Sequence, residues 1–252
     1  MNEVAERRVG PRLGEVDLWW TPLDGFDDEC RAFCRRLLSA SELARYEAFK
    51  AVSARDQYLA AHGLLRSALS RYRNIAPERW AFSENPYGRP FIDQSLGVTD
   101  LHFSLSHTEG LVACAVGAFP ELGVDVELRD RNLSVAELAP TVLAPQEIAR
   151  LRAEPDSQAN EFFFRLWTLK EAYVKARGMG LSLPMQGVWF DLDADSPAGH
   201  FTKAIADDAA RWTFRVVRPT ARHILSVAAA PPDGELAVVL RETRAIDLSR
   251  SR

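Results

Sequence analysis

Trp167-Thr168-Leu169-Lys170-Glu171-Ala172-Tyr173-Val174-Lys175-Ala176-Arg177-Gly178-Met179-Gly180 closes the strongest helical stretch of this 252-residue chain, Asn160 to Arg177. Glu171 and Lys175 are four apart and share one face, with Trp167 one turn before them. Lys170 points about 100° away from Glu171 round the axis, toward either a second anion or solvent. Gly178 is the residue type that ends a helix in the left-handed conformation. By spacing alone this helix could present nothing more than an exposed ion pair of small energetic value.

Upstream, Gly123-Val124-Asp125-Val126-Glu127 alternates apolar and acidic residues. In a strand, residues two apart point the same way, so Asp125 and Glu127 project together. Carboxylates held side by side raise one another's proton affinity unless a cation lies between them. Hard oxygens without a matching cysteine or histidine suit magnesium better than zinc. The plain alternative is a solvated acidic face.

A third stretch, Phe103-Ser104-Leu105-Ser106-His107-Thr108, reads as a half-buried strand ending in hydroxyls and a histidine. Such a histidine more often packs than reacts, though it can ligate phosphate or move a proton. Ser106 and His107 are adjacent, which does not suit a hydrolytic serine–histidine pair, and no Gly-x-Ser-x-Gly elbow is present. Asn85-Pro86-Tyr87-Gly88-Arg89-Pro90 reads as a turn-rich loop.

Around these motifs the chain reads as α+β. Val16–Trp20 is predicted as a strand, Phe26–Leu38 and Ser41–Phe49 as helices. A longer helix is predicted from Ser53, capped by Ser53 with Asp56. Strands are expected over Leu101–Ser106, Leu111–Ala118 and Gly123–Glu127, and helical patches over 128–156 with Ser134 and Glu137 as a cap. Runs at Gly187–Asp191, Trp212–Val217, Ile224–Ala229 and Leu236–Leu240 predict an antiparallel meander. The final dozen residues read as loose. The order predicts two α+β halves packed against each other.

Composition sets bounds on function. A formal charge of −4 argues against general nucleic-acid binding. Cys30, Cys34 and Cys114 are too few for a disulfide framework, and Cys30 with Cys34 has no further ligand nearby. The charged N-terminus is not a signal peptide, and the longest apolar run, Leu111 to Phe119, is too short to span a bilayer. The expectation is a cytoplasmic protein, without nucleic-acid or membrane partners.

Taken in order, Asn85-Pro-Tyr-Gly88-Arg89-Pro90, Phe103-Ser-Leu-Ser106-His107, Gly123-Val-Asp125-Val-Glu127 and Trp167-x-x-Lys170-Glu171-Ala-x-x-Lys175 resemble the 4′-phosphopantetheinyl transferases, closest to the surfactin-synthetase-activating (Sfp-like) type. The resemblance runs from about residue 50 to residue 230. It implies transfer of 4′-phosphopantetheine from coenzyme A, the co-substrate, to a serine hydroxyl of an acyl-, peptidyl- or aryl-carrier protein, with release of 3′,5′-ADP. It implies Mg2+ held by Asp125, Glu127 and Glu171, with Glu171 also a candidate general base. Lys170, Lys175, Ser106 and His107 would meet coenzyme A phosphates, and Gly88, Arg89 and Pro90 would border its nucleotide. Glu171, Lys175 and His107 would stand at the reacting centre.

The implied fold is a pair of pseudo-twofold-related α/β subdomains, residues 1–118 and 119–252, with the site between them. The second subdomain carries most of the magnesium ligands, and a monomer is expected. The family usually has an arginine on the 3′-phosphate of coenzyme A where this chain has Gln57, which leaves Arg55 or the more distant His62 for that contact. The segment Leu128–Arg152, with Arg129, Arg131, Arg150 and Arg152, is expected to touch the carrier. Two alternatives stay open at this point. Another magnesium-dependent phosphate-ester enzyme would release phosphate without any carrier, and a non-catalytic carrier-binding homologue would bind without transferring.

Overall fold

In a computed structural model, residues 10–130, 133–192 and 196–243 are described. The expectations for the final dozen residues and for Arg131 fall wholly or mostly outside that range. In chain order the elements are β1 (Glu15–Pro22), α1 (Asp28–Leu37), α2 (Ala40–Ala48), α3 (Val52–Leu69), β2 (Phe82–Glu84), β3 (Pro90–Ile92), β4 (His102–Thr108), β5 (Leu111–Gly117) and β6 (Leu122–Leu128). There follow α4 (Val135–Val142), α5 (Pro145–Ala153), α6 (Asp156–Arg177), β7 (Val188–Asp191), β8 (Ala198–Phe201), β9 (Thr213–Thr220), β10 (His223–Ala229) and β11 (Ala237–Glu242). The chain is α+β, as the alternating patterns predicted. None of the described helices is long and apolar enough to cross a membrane.

Two sheets organise the molecule. The first runs β11-β1-β5-β4 and the second β6-β10-β9. Helix α3 packs on the first sheet through Leu59, Leu64, Leu65 and Leu69, in one core with Cys30, Cys34 and Cys114. All three cysteines are buried free thiols. Helix α6 covers the second sheet through Phe163, Leu166, Leu169 and Tyr173. Residues of β1, β5, β6 and β10 share a third core between the sheets, including Leu18, Ala113, Val124, Val126 and Val227.

The predicted meander forms only in part. β9 and β10 pair antiparallel, and β10 pairs with β6. The run at 188–191 instead forms a separate hairpin with β8. The last run leaves the second half altogether and lies parallel to β1, with Val16 opposite Val238. Alternation specifies a half-buried strand but not its neighbour. Arg241 Nε donates to the buried Asp17 Oδ1 at 2.6 Å, which ties this returning strand to β1.

Two helix starts also differ from expectation. α3 begins at Val52 with Ala51 as an unassisted cap. Asp56 instead accepts from Arg31 Nε and Nη2, both at 2.8 Å, and fastens α3 to α1. Helix α6 starts earlier, at Asp156, through a polar first turn that carries no apolar period. Gly178 ends it with φ +62°, as its position predicted.

The tightest approach in the fold is α6 on β6. A Cβ added at Gly123 would lie 1.9 Å from Ala172 O and 2.6 Å from Ala176 N. Backbone atoms cannot yield as a side chain can, so a Gly123→Ala protein must separate helix from strand. A loss of about 3 kcal/mol or more is expected, seen as a fall of about 10 °C in thermal midpoint. A midpoint within experimental error of wild type would contradict this packing.

Candidate active site

The site lies in the seam where β4, an edge of the first sheet, meets β6, an edge of the second. No backbone ladder joins these edges; hydroxyls do so instead. Val124 N donates to Ser104 Oγ at 3.0 Å and Val126 N donates to Ser106 Oγ at 3.2 Å. Two residues further along, Thr108 Oγ1 donates to Glu127 Oε2 at 3.3 Å. Ser104, Ser106 and Thr108 alternate along β4 and so share a face. The hydroxyls face β6 because unpaired edge N–H groups buried in a seam need acceptors.

Ser106 has a second task. Its Oγ donates to Asp125 Oδ1 at 2.9 Å and accepts from Lys175 Nζ at 2.9 Å. Lys175 Nζ also meets Asp125 Oδ1 directly at 2.7 Å. The pairing suggested by spacing alone, Glu171 with Lys175 along the helix, gives way to this contact between α6 and β6. Asp125 is buried, and its Oδ2 has no hydrogen-bond partner among the described residues.

Glu171 stands half-buried on α6 beside Ala172, the alanine pressed on Gly123. Burial pushes its carboxyl up to about 7. The Asp125 charge adds to that shift, Lys175 opposes it, and Glu127 adds a little more. The carboxyl is therefore about half ionised at neutral pH.

A cleft of about 270 Å³ opens beside these groups. Glu171, Val174, Lys175 and Gly178 of α6 form one wall, and Ser104 and Leu105 of β4 form another. Gly88, Arg89 and Pro90 border it. Asn85 Oδ1 accepts from Tyr87 N and Arg89 N, both at 2.9 Å, and Asn85 Nδ2 donates to Gly178 O at 2.8 Å. Gly88 takes φ +83°, which closes this turn.

Arg89 differs from the expectation in one respect: its guanidinium is held by the protein. Nη1 donates to Ala176 O at 2.7 Å, and Nη2 to Pro120 O at 2.7 Å and Leu122 O at 3.1 Å. Burial lowers its pKa. Arg89 therefore joins the border loop to the C-terminal end of α6 and to the β5–β6 turn.

The larger correction concerns Lys170, expected to meet a phosphate. Its side chain is 1% exposed and turns into the second half of the molecule. Nζ lies 2.7 Å from Glu147 Oε2, donates to Met185 O at 3.0 Å, and also donates to Val188 O. Glu147 in turn accepts from Ala144 N at 2.8 Å and Phe190 N at 2.9 Å. Every donor direction of the ammonium meets an acceptor, and no route to the cleft remains.

Arg55 does not line the cleft either. Its Nε donates to Phe49 O at 2.8 Å, and its guanidinium stacks 5.8 Å from the Tyr46 ring centroid, closing the turn between α2 and α3. His62 is held by Glu42, 3.1 Å from its Nδ1, beside the buried Arg66. His107 is exposed, and its Nδ1 lies 3.1 Å from Gln57 Oε1. The protein on one side of the ring lowers its pKa, with Lys175 and His62 adding to the effect. Gln57, Ser104 and Thr108 had no role assigned from sequence. The hydroxyl alternation on β4 was a signal for two of them; the Gln57 contact had none.

Among the described residues, no three histidine, cysteine, aspartate or glutamate side chains converge to hold a metal ion. Asp125 Oδ1 is instead taken by Lys175. The donor chemistry nevertheless fits a hard divalent cation. The charges of Asp125 and Glu127 raise the proton affinity of Glu171, and among the described residues Asp125 Oδ2 is buried without a hydrogen-bond partner.

Comparison with known proteins places this arrangement in a family. Residues 121–228, the span from β6 through α6 to β10, match the 4′-phosphopantetheinyl transferase superfamily. The 4′-phosphopantetheinyl transferase HetI of Nostoc sp. is 32% identical over 216 residues, which cover 86% of this chain and 88% of that protein. The 4′-phosphopantetheinyl transferase Sfp of Bacillus subtilis is 29% identical, over 68% of this chain and 72% of its own. A solved structure, that of Thermotoga maritima holo-[acyl-carrier-protein] synthase, is similar over 46% of this chain and 63% of its own, at 20% identity and a TM-score of 0.36. With 86% of its length matched to HetI at 32% identity, this chain belongs to the 4′-phosphopantetheinyl transferases, of the Sfp type.

Proposed function

We propose that the enzyme transfers 4′-phosphopantetheine from coenzyme A to a serine hydroxyl of an acyl-, peptidyl- or aryl-carrier protein, releasing 3′,5′-ADP, and that it requires Mg2+. The observation that carries this reading is Glu171, a carboxyl pushed up to about 7, which shares one wall of the cleft with Lys175, whose ammonium is held by Ser106 and Asp125. A base is most useful when its pKa lies near the working pH.

Asp125, through its unpartnered Oδ2, Glu127 and Glu171 would hold Mg2+. Bound there, the cation would neutralise charge developing on the phosphate oxygens. Lys175 is fixed by Ser106 and Asp125, so its ammonium is already placed when the donor arrives and needs no reorganisation. Gly88 and Pro90 leave the border loop low enough for a ligand to lie against its backbone. Glu171, directly or through a water, takes the proton of the incoming serine hydroxyl as its oxygen attacks the phosphorus bearing pantetheine. The bond from that phosphorus to the ADP oxygen breaks, and 3′,5′-ADP leaves. In this reading the two sheet-and-helix halves are pseudo-twofold relatives with coenzyme A between them.

Mass spectrometry of an apo carrier protein tests the reaction. Incubation with this protein, coenzyme A and MgCl2 should add one phosphopantetheine to the carrier, and EDTA should abolish the gain. No gain with carriers of fatty-acid, polyketide and peptide synthesis, despite measurable coenzyme A binding, would reject the reading.

A further inference from the structure

His223 has no part in the chemistry above, yet it is buried at the end of the seam that holds the carboxylates. It opens β10 and pairs with Leu128, the residue after Glu127. Its Nε2 lies 2.8 Å from Glu109 O, across the seam in the turn between β4 and β5. A carbonyl only accepts, so Nε2 carries the proton. Nδ1 then accepts from Thr220 Oγ1 at 2.7 Å, and that hydroxyl oxygen accepts in turn from Arg222 N at 3.1 Å. Burial lowers the pKa of the ring, with the bond to Glu109 opposing. The neutral imidazole has one donor and one acceptor, which its two partners match.

The turn needs such a hold. Glu109 and Gly110 join β4 to β5 as a two-residue turn in which only Gly110 takes a positive φ, +82°. The two-residue turns that match the twist of a hairpin place a positive φ at the first residue as well or instead. Neighbours therefore fix this turn more than its own geometry does. Leu23 N, in the segment after β1, donates to Gly110 O at 3.0 Å. His223 holds Glu109 O from the side of the second sheet. A Cβ added at Gly110 would lie 3.6 Å from His223 Cε1 and Nε2, so the ring packs against the turn as well as bonding it.

What the turn carries is Thr108, the last residue of β4. Ser104 and Ser106 accept from backbone N–H groups of β6, but Thr108 reaches Glu127 Oε2 by donating from its hydroxyl, at 3.3 Å. That distance is long for a hydroxyl donor, so a small displacement of the turn breaks the bond. We propose that His223 is a positioning residue: through Glu109 O it sets the turn, and through Thr108 it orients the Glu127 carboxylate toward the cation. This rests on the metal ligands assigned in the transferase reading.

The test is calorimetric titration of MgCl2 into the protein with coenzyme A present, beside a coenzyme A titration without metal. His223→Phe keeps a buried ring and removes the donor, whereas His223→Gln restores an amide N–H near the Nε2 position. Thr108→Val removes the final link and keeps its shape. Thr108→Val should weaken Mg2+ binding about tenfold and His223→Phe about fivefold, with coenzyme A affinity unchanged. His223→Gln should recover most of the wild-type Mg2+ affinity. Adding His223→Phe to Thr108→Val should weaken the metal no further, because both act through one bond. If His223→Phe fails to fold, His223→Asn, too short for Glu109 O but able to meet Thr220, should show the same fivefold loss. Wild-type Mg2+ affinity in Thr108→Val, or a loss at His223 that glutamine does not recover or that adds in full to Thr108→Val, would overturn the positioning role. A wild type that binds coenzyme A but no Mg2+ would overturn the metal ligands and this role together. A wild type with the expected pattern of Mg2+ affinities that modifies no carrier would count against the transferase reading and support the role of His223.

Discussion

Glu171→Gln is expected to abolish transfer while stabilising the metal-free protein at alkaline pH. Loss of a general base alone lowers kcat about a thousandfold, and this carboxylate is also a proposed metal ligand. The stability effect has the opposite sign. The carboxyl titrates near 7 in the folded chain, against 4.5 for the ordinary group. Between those values the native state holds a proton that the unfolded state has lost, so folding is progressively penalised as pH rises from 4.5 to 7. Above 7 the penalty is complete. Glutamine removes it, so the gain should be absent below pH 4.5 and reach about 2 kcal/mol at pH 8, after allowance for partial solvent exposure. Urea unfolding in EDTA at pH 4 and pH 8 checks the sign, and equal destabilisation at both would refute it.

Lys170→Ala should unfold more readily than any substitution at the cleft. Lys170 and Glu147 are 1% and 2% exposed in their side chains and 2.7 Å apart. Removing one member leaves the other charged and buried, at a cost of about 3–5 kcal/mol. For a chain of this size the thermal midpoint should fall by about 10 °C. Below the transition the coenzyme A KM should stay close to wild type. A contact between Lys170 and a phosphate would give the reverse, an unchanged midpoint with a raised KM, so calorimetry and kinetics together decide the matter. Replacing the pair with leucines would not restore stability in full, because Ala144 N and Phe190 N would lose their acceptor.

Lys170 and Glu171 are chain neighbours, yet one builds the interior and the other faces the cleft. Their separation of about 100° round the helix was readable in advance. What lay in the direction of Lys170 was not, because Glu147 is 23 residues earlier and reaches the lysine only when α5 packs beside α6.

Local periodicity alone placed Asp125 and Glu127 on one face, identified α6 and its glycine stop, and marked the strands that flank the site. These follow from backbone geometry within single elements, which sequence spacing encodes directly. The ordered motifs added the family. Tertiary structure alone decided the partners: β11 on β1, the hydroxyls of β4 on the N–H groups of β6, the guanidinium of Arg89 on three carbonyls, and Lys175 on Asp125 in place of Glu171. Each of these joins residues distant in the chain. A side chain's charge or hydrogen-bonding capacity is fixed by its identity, but the group that answers it depends on which element packing brings alongside.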